Sequence, residues 1–252
     1  MINHRLVVQY DGAGFEGFQS QTHHRTIQDE LEKALGRLYK RRIKVLGTSR
    51  TDSGVHALCQ VVSFQAPLII PFPKLPLALN ALLPESIRVI KADRAPDSFV
   101  PRFAAKNKTY EYLIFNGKIM PPLIRHFVWQ VKPKLDLKAM RRAAAGLKGR
   151  HDFTAFCNAG GKERAGVRNL RRVGIGFKKI VLWDGLKVEV ITLKFQADGF
   201  LYRMVRNLVG TLVEAGLGKI EPERIKKIIK NRDRTLAGRT APPQGLCLIK
   251  VQ

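Results

Sequence analysis

The residue types best suited to chemistry fall in one stretch, Arg50-Thr51-Asp52-Ser53-Gly54-Val55-His56. It brings together a cation, a carboxylate and a glycine directly after the apolar segment Ile43 to Gly47. A carboxylate on a turn that ends a strand is held on a rigid support, which suits a reacting group. Asp before Ser-Gly is also ordinary turn chemistry, so Asp52 reads either as a turn residue or as the reactive carboxylate. On extended backbone Arg50 and Asp52 point to one face. There the guanidinium would keep the carboxylate ionised for work as nucleophile or base. Arg50 reads equally as a phosphate contact or a group that stacks on a base.

Further candidates lie in the second half of the chain. Tyr110 and Tyr112 alternate within a β-rich run and so share one face. Generic packing makes them core residues, whereas a functional role would make them a stacking platform for a base. Arg203 and Arg206 are three apart on a stretch with helical spacing at Leu201, Val205, Leu208, Val209 and Leu212. A cation on that face pairs with a buried carboxylate or contacts phosphate. Gly12-Ala13-Gly14-Phe15-Glu16-Gly17 fits a dinucleotide-binding fingerprint, but a polar run through Arg25 separates it from the next helical periodicity. The fingerprint needs the helix to open at its last glycine, so the segment reads as a flexible turn. The six histidines and three cysteines show no metal-ligand spacing, and no Gly-x-Ser-x-Gly is present. No metal and no cofactor is expected.

The elements that must position these residues follow from hydrophobic period. Arg5 to Tyr10, Ile43 to Leu46, Gln60 to Gln65 and Ile87 to Ala92 read as strands, with helices over Thr26 to Tyr39 and Phe72 to Leu83. That order is a split βαβ, ferredoxin-like unit. The second half repeats the theme. It has strands at Thr109 to Phe115, Val173 to Phe177, Leu186 to Gln196 and Leu246 to Val251, and helices at Asp136 to Leu147, Phe200 to Ala215 and Pro222 to Asn231. The expected fold is therefore α+β: two ferredoxin-like halves, 1–100 and 101–252, with mostly antiparallel sheets joined around a central basic cleft.

Composition narrows the partner. The chain has 45 Lys+Arg against 20 Asp+Glu, a formal net charge of +25 spread along 252 residues. Clusters recur at Lys40 to Arg42, Lys138 to Arg142, Lys162 to Arg172 and Arg224 to Arg234, which favours a polyanionic partner. The most apolar region, Ala66 to Pro84, contains Lys74 and several prolines and is not an uninterrupted membrane span. The chain runs from its start into strand-like sequence, so no signal peptide is expected. Cys59, Cys157 and Cys247, odd in number and far apart, read as reduced core residues of a cytoplasmic protein.

These residues add up to a resemblance. The stretch Arg50 to Ala57 is similar to the segment around the reactive aspartate of the bacterial tRNA pseudouridine synthase A family. Tyr10-Asp11-Gly12 through Gln21, Arg102-Phe103-Ala104-Ala105 with Lys108-Thr109-Tyr110-Glu111-Tyr112, His151-Asp152-Phe153, Met204-Val205-Arg206-Asn207 and Ala241-Pro242 resemble further segments of it. The match runs in order from about residue 5 to the C terminus. Ser49, Ser53 and Val100-Pro101 depart from the family's usual residues. The resemblance implies that Asp52 is the catalytic carboxylate, Tyr110 stacks on the target uracil, Arg206 pairs with Asp52 and Arg50 holds the displaced RNA. It also implies a homodimer without cofactor or metal that isomerises uridines at positions 38 to 40 of the tRNA anticodon arm. Two other readings share the charge: a non-catalytic RNA-binding protein, which leaves Asp52 unexplained, and an N-glycosylase, which would release free uracil.

Overall fold

The computed structural model describes residues 1–160 and 165–252; Lys162 to Arg164, which open one basic cluster, lie outside them. The chain forms two compact units, Met1–Lys106 with Cys247–Gln252, and Asn107–Leu246. The secondary structure is mixed, and the sheet pairing is mostly antiparallel.

In the first unit, alternation at the chain start makes strand β1 (Ile2–Tyr10), which buries Leu6, Val8 and Tyr10. It lies between β3 (His56–Ala66) and β4 (Ile87–Ala95), antiparallel to both. The far edge of β3 is shared. Strand β2 (Leu46–Gly47) pairs antiparallel at Ser63 and Val62, and the closing strand β10 (Leu246–Val251) pairs parallel at His56 and Ala57. Helix α1 (Ile27–Tyr39) begins where the side chain of Thr26 accepts the Asp29 N–H, and it buries Ile27, Leu31, Ala34 and Leu35 at helical spacing. Helices α2 (Leu75–Asn80) and α3 (Pro101–Ala104) complete the unit.

Two elements are shorter than their hydrophobic pattern predicts. Ile43 and Val45 are buried, yet they precede β2 instead of forming it. Helix α1 takes the backbone of Val45: its N–H donates to Glu32 Oε1 (2.9 Å) and Gln28 Nε2 donates to its carbonyl (3.2 Å). Helix α2 starts only at Leu75 because Pro76, which a helix opened at Phe72 would hold in its interior, has no N–H to donate and is tolerated only in a first turn. Ahead of it the Lys74 and Leu75 N–H groups close turns on the Pro71 carbonyl.

The second unit is built on β5 (Lys108–Phe115), β9 (Lys187–Ala197), β8 (Val167–Val181) and β7 (Gly149–Asp152), neighbours in that order and antiparallel throughout. A short β6 (Trp129–Gln130) runs parallel beside β5. Strand β8 is far longer than its apolar core suggests, because pairing from Arg172↔Gln196 to Val181↔Lys187 carries its cationic ends into the hairpin. Helix α4 (Leu137–Ala145) is capped by Asp136, whose carboxylate accepts the Lys138 and Ala139 N–H groups. Helix α5 (Met204–Gly216) is almost wholly buried, and α6 (Arg224–Asn231) follows. The three cysteines are half-buried rather than core residues.

The loop after β1 is not a flexible turn. Its backbone lies directly on the Asp52 segment: the Phe18 N–H donates to the Thr51 carbonyl (3.0 Å), and the Gly54 N–H to the Phe15 carbonyl (3.2 Å). A Cβ on Gly12 would overlap the Val55 carbonyl, and one on Gly17 would stand 2.6 Å from the Thr51 carbonyl oxygen. Gly17 also has φ +91°, a conformation only glycine adopts without strain.

Gly17→Ala should therefore destabilise the first unit by roughly 1–3 kcal/mol and speed hydrogen exchange at the Phe18 and Gly54 amides. Gly14, whose Cβ would meet nothing within 4 Å, is the control: Gly14→Ala should leave denaturant midpoint and exchange nearly unchanged. A second expectation concerns pH. Burial pushes the Asp93 carboxyl up, but hydrogen bonds from Arg5 (2.6 and 2.9 Å), the Arg5 charge and Lys91 outweigh it and hold the group below its ordinary value. A carboxyl lowered in the folded state stabilises above its unfolded pKa and loses that contribution as pH falls through the folded value, in the region below about pH 4. Unfolding of the parent between about pH 5 and 3 should accordingly steepen more than that of Asp93→Asn.

Candidate active site

Asp52 opens a turn closed by the Val55 N–H on its carbonyl (3.1 Å), with Gly54 at φ +75° in the position that demands a left-handed residue. Burial alternates along the segment: Ser49 and Thr51 are inside, Arg50 is exposed, and Asp52 is half-buried. The segment is not a strand, and the turn precedes β3 instead of ending β2. Its anchors are side chains. Thr51 Oγ1 lies 2.8 Å from the Tyr10 hydroxyl, and Gln60 holds the Ser49 backbone from both sides, accepting its N–H (3.2 Å) and donating to its carbonyl (2.7 Å).

His56, at the far end of the turn, is buried against the first loop. Its Nδ1 lies 3.1 Å from the Gly12 N–H and 3.0 Å from Asp11 Oδ1. A single ring nitrogen accepts from the Gly12 N–H or donates to the Asp11 carboxylate, according to which nitrogen carries the hydrogen. Both choices tie the turn to the loop.

Tyr110, Tyr112 and Arg206 belong to the second unit. Tyr110 is 7% exposed on β5 and meets Phe200 edge to face, with centroids 5.2 Å apart. Tyr112 is a core residue: its hydroxyl donates to the Pro242 carbonyl (2.8 Å), and a Cβ on Gly245 would stand 2.6 Å from its ring. Burial pushes the Tyr112 phenol strongly up, against the weaker pull of the Arg206 and Arg239 charges. Glu111, on the opposite face, takes Lys194 at 3.2 Å and Lys178 at 3.6 Å.

Arg206 stands half-buried in the first turn of α5, and its Nε donates to the Ala241 carbonyl (2.8 Å) while the Ala241 N–H returns to the Arg206 carbonyl (3.1 Å). Arg203 does not share its helical face. It is the residue before the helix, left-handed at φ +57°, with its guanidinium 4.9 Å over the Tyr202 ring. Beneath Arg206, Asn207 is fully buried. It accepts from Thr240 Oγ1 (2.7 Å) and Arg234 Nη2 (3.0 Å) and donates to the Phe156 carbonyl (2.8 Å).

Sequence reasoning missed Tyr10, Gln60, His56, Asn207 and Arg234 as site supports. The available signal was the polarity of Gln60 and Asn207 within otherwise apolar periodic runs, since a buried amide must find partners. Among the described residues no group of three His, Cys, Asp or Glu side chains is arranged to hold a metal ion.

Comparison with known proteins places the chain in a family. The profile of the tRNA pseudouridine synthase family matches residues 6–104 and 143–252. The chain is 42% identical to the tRNA pseudouridine synthase A of Thermoanaerobacter sp. (strain X514), over 100% of this chain and 99% of that protein. It is 43% identical to that of Bacillus subtilis (strain 168), over 98% and 97%, and 39% identical to that of Acetivibrio thermocellus, over 100% and 99%. Matched along nearly its whole length and through both segments that carry Asp52 and Arg206, the chain belongs to the tRNA pseudouridine synthase family.

Proposed function

We propose that this chain isomerises uridine to pseudouridine at positions 38 to 40 of the tRNA anticodon arm, with Asp52 as the catalytic carboxylate. The N1–C1′ bond breaks, the uracil turns in place, C5 bonds to C1′, the C5 hydrogen leaves as a proton, and N1 takes up a proton in place of its bond to the sugar. The base must first be extruded from its stack. Whether the carboxylate engages C1′, C6 or the C2′ proton, it must be ionised and fixed beside the glycosidic bond. The observation that carries this reading is the support of Asp52: a closed turn clamped to the Gly12–Gly17 loop, within the matched segment 6–104 of the family.

The remaining roles follow the family pattern. Tyr110 stacks on the uracil, Arg206 pairs with Asp52, and exposed Arg50 holds the RNA whose nucleotide has been displaced. The strand order β4-β1-β3 with β2 beside β3, and β5-β9-β8 in the second unit, supports two ferredoxin-like halves. The net charge of +25 supports binding through phosphates, which weakens as salt rises. Among the described residues no helix is long and apolar enough to cross a membrane, in keeping with work on tRNA in the cytoplasm.

A homodimer is part of the same reading. Ile124, Val128, Val188 and Val190 form a cluster under the β8–β9 hairpin, and the same elements expose Leu123, Phe127, Val181, Leu186 and Trp183, the last at 77%. Adjacent exposed apolar side chains of this kind mark association surfaces. Trp183→Glu combined with Leu186→Lys should convert the dimer to a monomer in sedimentation; a double variant that still sediments as a dimer places the interface elsewhere.

The test of the reaction is tritium release from tRNA labelled at uridine C5. The parent should release it and Asp52→Ala should lose about a thousandfold or more of the rate. Retained tritium with free uracil appearing would indicate a glycosylase, and retained tritium with tRNA bound but unchanged would indicate an RNA-binding protein.

A further inference from the structure

The segment that carries Asp52 leaves the sheet, and side chains take over from the ladder. Strand β2 pairs with β3 at Leu46↔Ser63 and Gly47↔Val62, and Thr48 makes the last bonds, from its N–H (2.9 Å) and hydroxyl (3.0 Å) to the Val61 carbonyl. One residue on, the Gln60 amide replaces backbone as the partner of Ser49. Gln60 Nε2 also lies 3.4 Å from the Tyr10 hydroxyl, which in turn meets Thr51 Oγ1 at 2.8 Å. Tyr10, Thr51 and Ser49 are buried, and Gln60 is fully so. Tyr10 continues the inward alternation of Leu6 and Val8 along β1, and the register slips opposite it: Val8 pairs with Gln60 and Tyr10 with Ala57, so β3 carries one extra residue beside the site.

We propose that Tyr10 and Gln60 are positioning residues for the isomerisation. Through a connected chain, Tyr10–Thr51 and Tyr10–Gln60–Ser49, they fix the residues on either side of Arg50, and hence set where Arg50 and Asp52 stand against the flipped uridine. Neither touches substrate. The inference rests on the reaction proposed above. A carboxylate displaced by about an ångström from its reacting atom loses on the order of a hundredfold in rate, whereas tRNA binding spread over many phosphates barely responds. A hydroxyl that only stabilises the fold would instead lower the active fraction and the unfolding midpoint together.

Single-turnover and steady-state tritium release, with thermal unfolding alongside, distinguish the two. Tyr10→Phe and Thr51→Val should each lower kcat about tenfold or more, with KM for tRNA within about twofold. The double variant should be no slower than the slower single one, because both break one bond. Thr51→Ser, which keeps the hydroxyl, should recover most of the rate. Unchanged kcat, a change confined to KM, multiplicative losses in the double variant, or Thr51→Ser as slow as Thr51→Val would each overturn the assignment. Should Tyr10→Phe not fold, the Thr51 pair decides alone. A parent without tritium release overturns the reaction and this inference with it, whereas an active parent matched by Tyr10→Phe overturns only the inference.

Discussion

The approach of two backbones with no side chain between them is the constraint on which the site depends. The loop after β1 lies on the Asp52 turn closely enough that Gly12 and Gly17 have no room for a Cβ. Phe15 and Phe18 are buried at either end of this contact, and Phe18 in turn requires a glycine at 47, whose Cβ would strike its ring. The helix that follows is tied in as well, since the Ile27 and Gln28 N–H groups donate to the Gly17 and Phe18 carbonyls. Loop, turn, β2 and the start of α1 thus form one packed block, and Asp52 inherits the rigidity of all four.

Much of this was legible in the sequence, though unevenly. Helices and strands that bury one face showed their period: α1, α4, and the strands β1, β5 and β10. Asp52, Arg50, Tyr110 and Arg206 stood out by residue type and spacing. The glycines around residues 12–17 did not betray their purpose, because a glycine needed for close approach and one that lends freedom to a turn look alike in one dimension. Tyr10 and Gln60 read as ordinary strand residues, since their partners lie 41 and 11 positions away. Strand β2 was overestimated because burial of Ile43 and Val45 carries no information on which groups take their backbone hydrogen bonds.

The distribution of acids explains how the molecule can be so basic and still fold. Several described carboxylates are spent on local pairs: Asp93 with Arg5, Glu30 with Arg25, Glu111 with Lys194, Asp152 with Arg232. Such partly exposed pairs contribute little to stability, so they matter mainly by neutralising the few negative charges present. The core is largely apolar in both units, and apart from cations such as Arg206 and Arg234, which serve a backbone carbonyl and buried Asn207, most of the cations face outward. A surface of this kind draws a polyanion from a distance, while leaving the geometry at Asp52 to short contacts that salt hardly screens.

Those short contacts are polar because β3 has no free edge to offer. Extended one for one past Gly47↔Val62, the β2 ladder would bring Asp52 opposite Ala57, the position that Leu248 of β10 occupies. The chain must therefore leave β3 between Thr48 and the turn, and its backbone groups would be buried without partners. Gln60 supplies them, its amide presenting a donor and an acceptor at the spacing of a peptide group with a second N–H left over, and Tyr10 holds the next inward residue. An apolar side chain at 60 would fill the volume and leave the Ser49 N–H and carbonyl unsatisfied, at a cost comparable to the hydrogen bonds lost. Sharing one strand edge between β2 and β10 thus forces a polar anchor, and that anchor holds the segment that leads into the Asp52 turn.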